Sequence, residues 1–267
     1  TILQSIILGI VEGITEFLPI SSTGHLILFG KLLGVADTNF TKSFEIAIQF
    51  GAILAVVVLY WKRLIGNIEN WKKILVAFLP TAVVGFLLYK VLKNYLLGNT
   101  MLVVWALAIG GLALIIFEIC LARKHSPQAM AEGHLRRTHQ EQPLNYKNSF
   151  LTGLAQSLAI IPGVSRSGAT IVAGLLMGIN RQVIVEFSFL LSVPTMAAAT
   201  AYDLYKSAGN FSLSEFHILA IGFIVSFIVA ILSIKWLLYF VKNHTFILFG
   251  VYRIIIAGVF YFLIILN

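Results

Sequence analysis

Glu12 and Glu16 stand four residues apart in the stretch VEGITEFLPISSTGH, residues 11–25. On a helix that spacing puts two like charges on one face, where they repel. The pair must therefore share protons or hold a cation. Hard oxygen donors favour Mg²⁺ or Ca²⁺ over zinc, and Mg²⁺ commonly joins one or two carboxylates to a substrate phosphate. Behind Pro19 come Ser21, Ser22, Thr23, Gly24 and His25, then the apolar run LILFGKLLG, so the hydroxyls fall at the N-cap and first turn of a new helix. Capping explains one serine. It does not explain three hydroxyls followed by a histidine, the side chain that can carry protons near neutral pH.

A second stretch, PGVSRSGAT at 162–170, repeats the arrangement and adds Arg166. Two helix N-termini would then turn free N–H groups and positive dipole ends toward one cavity, which is an anion site. The guanidinium adds a permanent charge whose fork suits phosphate oxygens. A cation site, an anion cradle, hydroxyl nucleophiles and a proton carrier are the parts of metal-assisted phosphoryl transfer. On this reading Glu12 and Glu16 are the candidates to hold the divalent cation, Ser21 and Ser22 are the candidate nucleophiles, His25 is the proton carrier and Arg166 the group that binds the anion. Ser21, Thr23, Gly163, Ser165, Ser167, Gly168 and Thr170 are expected to contact the substrate. Glu45 and Gln49, again four apart, are candidates to line the same cavity, as are Glu186 and Ser188. Glu118 and Asp203 fall near the ends of apolar runs and are expected at the interface. Arg253, deep in the last apolar run, needs a partner that the sequence does not identify. GVSRSGAT lacks the GK[ST] of a P-loop, and His125, His134 and His139 have no carboxylate or Cys partners at metal-site spacing. Neither a nucleotide site nor a zinc site is expected.

The elements that must position these residues are apolar. Of 267 residues 59% are hydrophobic and 11% charged, with mean hydropathy +0.93, whereas a soluble domain carries roughly 25% charged residues. Apolar runs recur at the length of roughly 20 residues that a membrane helix needs, without the alternation of a barrel. The expectation is an all-α, polytopic membrane bundle. Spans are expected at residues 43–61, 74–96, 101–122, 183–205, 216–241 and 245–266. Two further regions, 1–35 and 149–180, are interrupted midway by Pro, Gly and Ser, so each reads as a re-entrant helical hairpin lining a protein cavity. No cleavable leader precedes the first apolar stretch, so insertion is expected to use the mature helices. Cys120, the only cysteine, excludes an internal disulfide and reads as packing. The net charge of +8 reads as the basic loops of a membrane protein and not as a nucleic-acid surface.

Residues 1–122 and 149–267 share one order, a broken region and then three spans, separated by a polar basic loop at 123–148. Setting GIVEGITEFLPISSTG against GLAQSLAIIPGVSRSG at a shift of 144 pairs Gly9 with Gly153, Glu12 with Gln156, Ser21 with Ser165, Thr23 with Ser167 and Gly24 with Gly168. Three spans per half reverse the second half, which predicts an inverted-topology repeat whose broken regions meet near the midplane. Lys62, Arg63, Lys72, Lys73, Arg123, Lys124, Arg136, Arg137, Lys147, Arg181 and Lys242 gather at one side, and Lys31, Lys42, Lys90, Lys93 and Lys206 at the other. The first side is expected in the cytoplasm. Both termini and the mouth of the first hairpin then face the periplasm or exterior.

EGITEFLPISSTGH and PGVSRSGAT, together with FEIAIQFGAILAVVV and EFSFLLSVPTMAAA, resemble the signature segments of the undecaprenyl pyrophosphate phosphatases, the bacitracin-resistance proteins of bacterial inner membranes. The resemblance covers essentially the whole chain. It implies hydrolysis of the terminal phosphate of undecaprenyl pyrophosphate, giving the monophosphate carrier reused for peptidoglycan. It also implies a divalent-cation requirement, an active site opening outward, and roles for Glu12, Glu16, Ser22, His25 and Arg166. The partners expected are the polyprenyl pyrophosphate lipid and membrane lipids, and a homodimer is compatible with the sequence. Ser22 or a water attacks, with His25 as proton carrier and Arg166 with the N–H groups of 165–168 neutralising charge; the sequence leaves the nucleophile open. A secondary transporter or flippase of a lipid phosphate or other anion is the alternative, since broken helices and inverted repeats also build transporters. A phosphatidic-acid-phosphatase pattern is disfavoured because Val172 and Leu176 stand where that pattern has a His and an Asp.

Overall fold

The computed structural model describes residues 1–36, 38–66, 68–91, 96, 99–124, 142–207 and 216–265. Among these every regular element is helical. In chain order they are α1 (Ile2–Thr15), α2 (Ser22–Leu32), α3 (Asn39–Gly66), α4 (Ile68–Val91), α5 (Thr100–Lys124), α6 (Tyr146–Gln156), a 3₁₀ turn (Ser157–Ile160), α7 (Arg166–Leu176), α8 (Arg181–Ser207), α9 (Phe216–Phe240), α10 (Ile247–Phe260) and a π turn (Tyr261–Ile265). Most of the basic loop at 123–148, with His125, His134 and His139, lies outside the described residues, as do Lys93 and the side chains of Lys90, Asp203 and Lys206.

Five helices among the described residues are long and apolar enough to cross a membrane: Phe40–Gly66, Ile68–Leu88, Thr100–Arg123, Arg181–Ala201 and Phe216–Phe240. The protein is thus a multi-pass membrane protein. The sixth expected span, 245–266, is a shorter apolar helix over Ile247–Leu263. Its α-helical part has 14 residues and rises about 21 Å, less than the roughly 30 Å hydrocarbon core, and the π turn extends it. The two interrupted regions are indeed broken. α1 ends at Thr15, ahead of Pro19, and α2 restarts at Ser22; α6 ends at Gln156, ahead of the 3₁₀ turn, and α7 restarts at Arg166.

Helix faces turned outward are apolar, as with Leu79, Val83, Phe86 and Leu87 on α4 and Trp105, Ile109, Leu112 and Ile116 on α5. Cys120 lies on such an exposed face. Lipid tails match these side chains, so burial from water does not drive helix against helix; close packing and interhelical hydrogen bonds do. Small residues supply the close packing. A Cβ on Gly9 or Gly13 of α1 would lie 2.8 Å from the carbonyl oxygen of Gly222 or Ser226 on α9, so any larger residue would push the two helices apart. Hydroxyls supply the bonds: Ser5 Oγ donates to Ile218 O (2.8 Å), Ser226 Oγ to Ile48 O (2.7 Å) and Thr81 Oγ1 to Gly153 O (2.9 Å). The pairing of elements is reciprocal. α1 packs on α9, α6 packs on α4, and α5 packs on α10.

Glu118, near the end of α5 where interfacial placement is expected, is buried against protein. Its carboxylate accepts Arg181 Nη1 at 2.5 Å, Arg181 Nη2 at 3.0 Å and the Phe246 N–H at 2.9 Å. This joins the C-terminal end of α5 to the starts of α8 and α10. Glu186, a candidate cavity residue, pairs with Arg63 and accepts Gln182 Nε2 at 3.2 Å.

Candidate active site

α1 carries Glu12 on its last turn and is followed by Glu16 at its C-cap, whose N–H donates to Glu12 O. The chain then turns through Phe17–Ile20. Phe17, Leu18 and Ile20 are buried, and Phe17 meets Phe189 edge-on with ring centroids 5.4 Å apart. Apolar side chains thus pin a turn whose backbone has no helical partners. Carbonyls buried in this way must be satisfied by protein, and the second half of the chain does so. Ser167 Oγ donates to Leu18 O at 2.9 Å, and Arg253 Nη1 donates to Pro19 O at 3.3 Å. Arg253 Nη2 also reaches Gly163 O and Ala106 O, both at 3.0 Å. The partner the sequence could not supply for Arg253 is therefore a set of main-chain carbonyls, two of them from the two turns. Gly163 is required there: its φ is +92°, and a Cβ would lie 2.8 Å from Val103 O.

Across this junction the two motifs meet. Arg166, the first residue of α7, donates from Nη2 to Glu16 Oε1 at 3.2 Å and from Nη1 to Ser188 O at 3.0 Å. Ser22 Oγ donates to Glu16 Oε2 at 2.5 Å. Glu16 is thus held on one oxygen by a guanidinium and on the other by a hydroxyl. Thr170 Oγ1 and Ser188 Oγ lie 2.6 Å apart behind Arg166, so Ser188 lines the site while Glu186 does not.

The Glu12 carboxylate and one nitrogen of Arg166 are buried without hydrogen-bond partners. Both carboxylate oxygens of Glu12, a residue 0% exposed, accept no hydrogen bond, and neither does Arg166 Nε donate one. Glu16, Glu45 and Arg166 lie within electrostatic reach of Glu12. A buried ionised carboxylate without a donor is unfavourable by several kcal/mol or more, so it calls for a cation or a proton. Two hard-oxygen carboxylates set against one guanidinium also leave the cluster short of positive charge for an anionic substrate. The donor set fits a hard divalent ion completed by substrate oxygens. Among the described residues no group of three or more His, Cys, Asp and Glu forms a self-sufficient metal cage.

The remaining residues divide. Ser165 caps α7, its Oγ accepting Gly168 N–H at 3.1 Å and lying 3.0 Å from Ser167 Oγ. Ser21 holds the matching place before α2, makes no side-chain cap and has φ +72°, the one positive φ among the described non-glycine residues. Thr23 is exposed, and Gln49 is half-buried one turn beyond Glu45. His25 is buried and does not bond Ser22. Its Nδ1 lies 2.7 Å from Ser21 O, and its Nε2 lies 2.8 Å from the hydroxyl of Tyr252 on α10. Tyr252 was not a candidate from sequence: an aromatic residue in an apolar span carries no local signal of a polar contact.

Residues 5–259 match the family model described as bacitracin resistance protein BacA. The chain is 54% identical over 257 residues to the undecaprenyl-diphosphatase of Aquifex aeolicus (strain VF5), with 96% of each chain covered. It is 52% identical over 263 residues to that of Sulfurihydrogenibium sp. (strain YO3AOP1), covering 98% of this chain and 99% of the relative. It is 47% identical over 259 residues to that of Persephonella marina (strain DSM 14350 / EX-H1), covering 97% of both.

Proposed function

We infer the function from the premise that this chain belongs to the bacitracin resistance protein BacA family: it is an undecaprenyl-diphosphatase of the membrane, cleaving undecaprenyl pyrophosphate to undecaprenyl phosphate and phosphate. The observation that carries the reading is the junction of the two motifs, where Glu16 binds both Ser22 and Arg166 beside the two unpartnered groups, Glu12 and Arg166 Nε. A phosphate with a cation complements both at once.

Ser22 is the nucleophile in this reading, and Glu16 is its base. Glu16 Oε2 takes the Ser22 proton as Oγ bonds the terminal phosphorus, and the anhydride P–O bond breaks toward undecaprenyl phosphate. Arg166 donates to the non-bridging oxygens, where charge develops. Water then attacks the phosphoserine; Ser22 Oγ leaves and regains its proton from Glu16, and the water proton stays on the released phosphate. Glu12 and Glu16 would hold a divalent cation, Mg²⁺ or Ca²⁺, which when bound supplies positive charge to phosphate oxygens. His25 sits one layer back, since its ring nitrogens are both engaged elsewhere.

The wider assignment follows the same lines. Recycling of the lipid carrier for cell-wall synthesis in the bacterial inner membrane, with a site open to the outer side and both termini there, rests on the family and on the bias of Lys and Arg. An inverted-topology repeat, with α10 as the sixth crossing and the two broken regions as re-entrant hairpins, is supported by the reciprocal packing of α1 on α9 and α6 on α4.

The test is phosphate release from undecaprenyl pyrophosphate by the purified chain in detergent, with and without EDTA, beside Ser22→Ala. Metal-dependent release that vanishes in Ser22→Ala, with a trappable phosphoserine in the wild type, is the expected result. Intact protein that binds the lipid but releases no phosphate would move a transporter to first place.

A further inference from the structure

We propose that Tyr252 is a positioning residue of this site, acting through His25 on the peptide that joins Ser21 to Ser22. The kinetic part of its test rests on the phosphatase reading above; the spectroscopic part rests on geometry alone.

Tyr252 belongs to neither motif and is 227 positions from His25 in sequence. Its neighbour Arg253 ties the two turns through their carbonyls, so consecutive residues of α10 serve different parts of one junction. The chemistry of the contact fixes who donates. Ser21 O is a carbonyl and can only accept, so the proton of His25 must sit on Nδ1, 2.7 Å away. The lone pair of the neutral ring is then on Nε2, and the Tyr252 O–H donates to it across 2.8 Å. Turned to the other tautomer, the ring would set a lone pair against the Ser21 carbonyl and an N–H against a phenol that would have to accept. The Ser21 carbonyl therefore selects the tautomer, and the phenol, by donating to Nε2, holds the ring in it.

That selection reaches the nucleophile. Ser21 O accepts both the ring Nδ1–H and the His25 main-chain N–H, the latter at 3.3 Å. Two bonds thus clamp the peptide on the C-terminal side of a residue held at φ +72°. A serine in that region is unfavourable by about 1–3 kcal/mol and persists only where its surroundings over-determine it. The next side chain is Ser22, aimed at Glu16 across 2.5 Å. Removal of the phenol hydroxyl frees the ring to turn over, and the clamp on Ser21 weakens.

The experiment compares Tyr252→Phe, His25→Ala and the double variant of the full chain in detergent, by phosphate release from undecaprenyl pyrophosphate and by thermal unfolding. Loss of the hydroxyl leaves the buried His25 Nε2 without a donor, so the unfolding midpoint should drop by a few degrees while the fold persists. Expected is a fall in kcat of about tenfold with KM held, the effect of one net hydrogen bond realised in the transition state. The double variant should be no slower than His25→Ala alone, because residues acting in series do not add. Wild-type turnover in Tyr252→Phe, or a loss that multiplies with that of His25→Ala, overturns the proposal. In parallel, ¹⁵N-histidine spectra at neutral pH, with His25 assigned by its absence in His25→Ala, should show a proton on Nδ1 and an Nε2 signal that moves in Tyr252→Phe. Any other protonation pattern in the wild type overturns it as well. A wild type without phosphate release sinks the phosphatase reading instead, and the spectra still decide the role of Tyr252.

Discussion

Glu12 in the first broken region and Gln156 in the second occupy matching places, and both are buried, yet their surroundings differ in kind. Gln156 donates from Nε2 to Thr81 Oγ1 at 2.8 Å and to Thr195 Oγ1 at 3.1 Å. Its Oε1 accepts nothing, but Glu12 has neither a bond to give nor one received on either oxygen. The contrast recurs at the restart of each helix. Ser165 caps α7 with ordinary extended geometry, φ −67° and ψ 123°, while Ser21 before α2 caps nothing and sits at φ +72°. Two similar sequences have thus taken opposite parts. The second region caps its own helix start, ties the Gln156 amide nitrogen to two hydroxyls and presents one cation, Arg166. The first leaves a carboxylate, a strained backbone and an uncapped helix start for the substrate to complete. Unfavourable local features concentrated on one side of a site, with stability supplied from the other, are what a preorganised reaction centre requires.

The largest effects should fall on the bridge between the regions. Arg166→Ala should lower kcat by about a thousandfold or more, the range seen when a transition-state arginine is lost in phosphoryl transfer. Arg166→Lys should recover little, because a point charge cannot contact Glu16, Ser188 O and a phosphate together as a planar fork can. Steady-state phosphate release measures both. Comparable turnover in Arg166→Ala would mean that the second region supplies scaffold only, and the contrast drawn above would collapse.

Exchange of the matched pair sharpens the comparison. Glu12→Gln should cost about a hundredfold in kcat, the usual worth of a single positioned ionisable group, while the unfolding midpoint stays level or rises because an orphaned buried charge is gone. Gln156→Glu should do the reverse. Turnover should stay within a few-fold, and the midpoint should drop by about 2–4 °C for each kcal/mol of carboxylate desolvation. Parallel kinetics and thermal melts of the two variants check the pair. Equal kinetic losses would show that both regions take part in the chemistry.

How much of this was legible in sequence depends on the range of the contact. The breaks at Pro19 and at Pro162–Gly163 were readable because Pro and Gly act locally, and Glu12, Glu16, Ser22 and Arg166 stood out because polar groups are rare in so apolar a chain. The meeting of the two stretches followed from their resemblance to one another. What spacing could not supply was which polar group meets which. Ser22 adjoins His25 in sequence, but the helical turn that starts at Ser22 points its hydroxyl back to Glu16 and the His25 ring toward α10. Arg253 needed a partner, and a search among acidic residues could not find one because the partners are main-chain carbonyls. Glu118 read as interfacial from its place near a helix end, yet Arg181, 63 positions on, closes over it.

Smaller effects test the two helix starts. Ser165→Ala removes the acceptor for Gly168 N–H and should cost about 1 kcal/mol, the usual worth of an N-cap. Calorimetry should show a midpoint lowered by about 2–4 °C, and turnover should follow only through loosened placement of Arg166. Ser21→Gly should behave otherwise, since no cap is lost. Glycine adopts positive φ without the steric penalty of a Cβ, which relieves strain in the folded state, but it also widens the unfolded ensemble by about 0.4–1 kcal/mol. The relief, about 1–3 kcal/mol, is the larger of the two, so the midpoint should stay level or rise. Turnover should nonetheless fall a few-fold, because the peptide before Ser22 is no longer forced into one pose. That opposition of a level or raised melt and a slower reaction distinguishes strain used for positioning from strain merely tolerated; a glycine variant with undiminished kcat would assign Ser21 to the second kind.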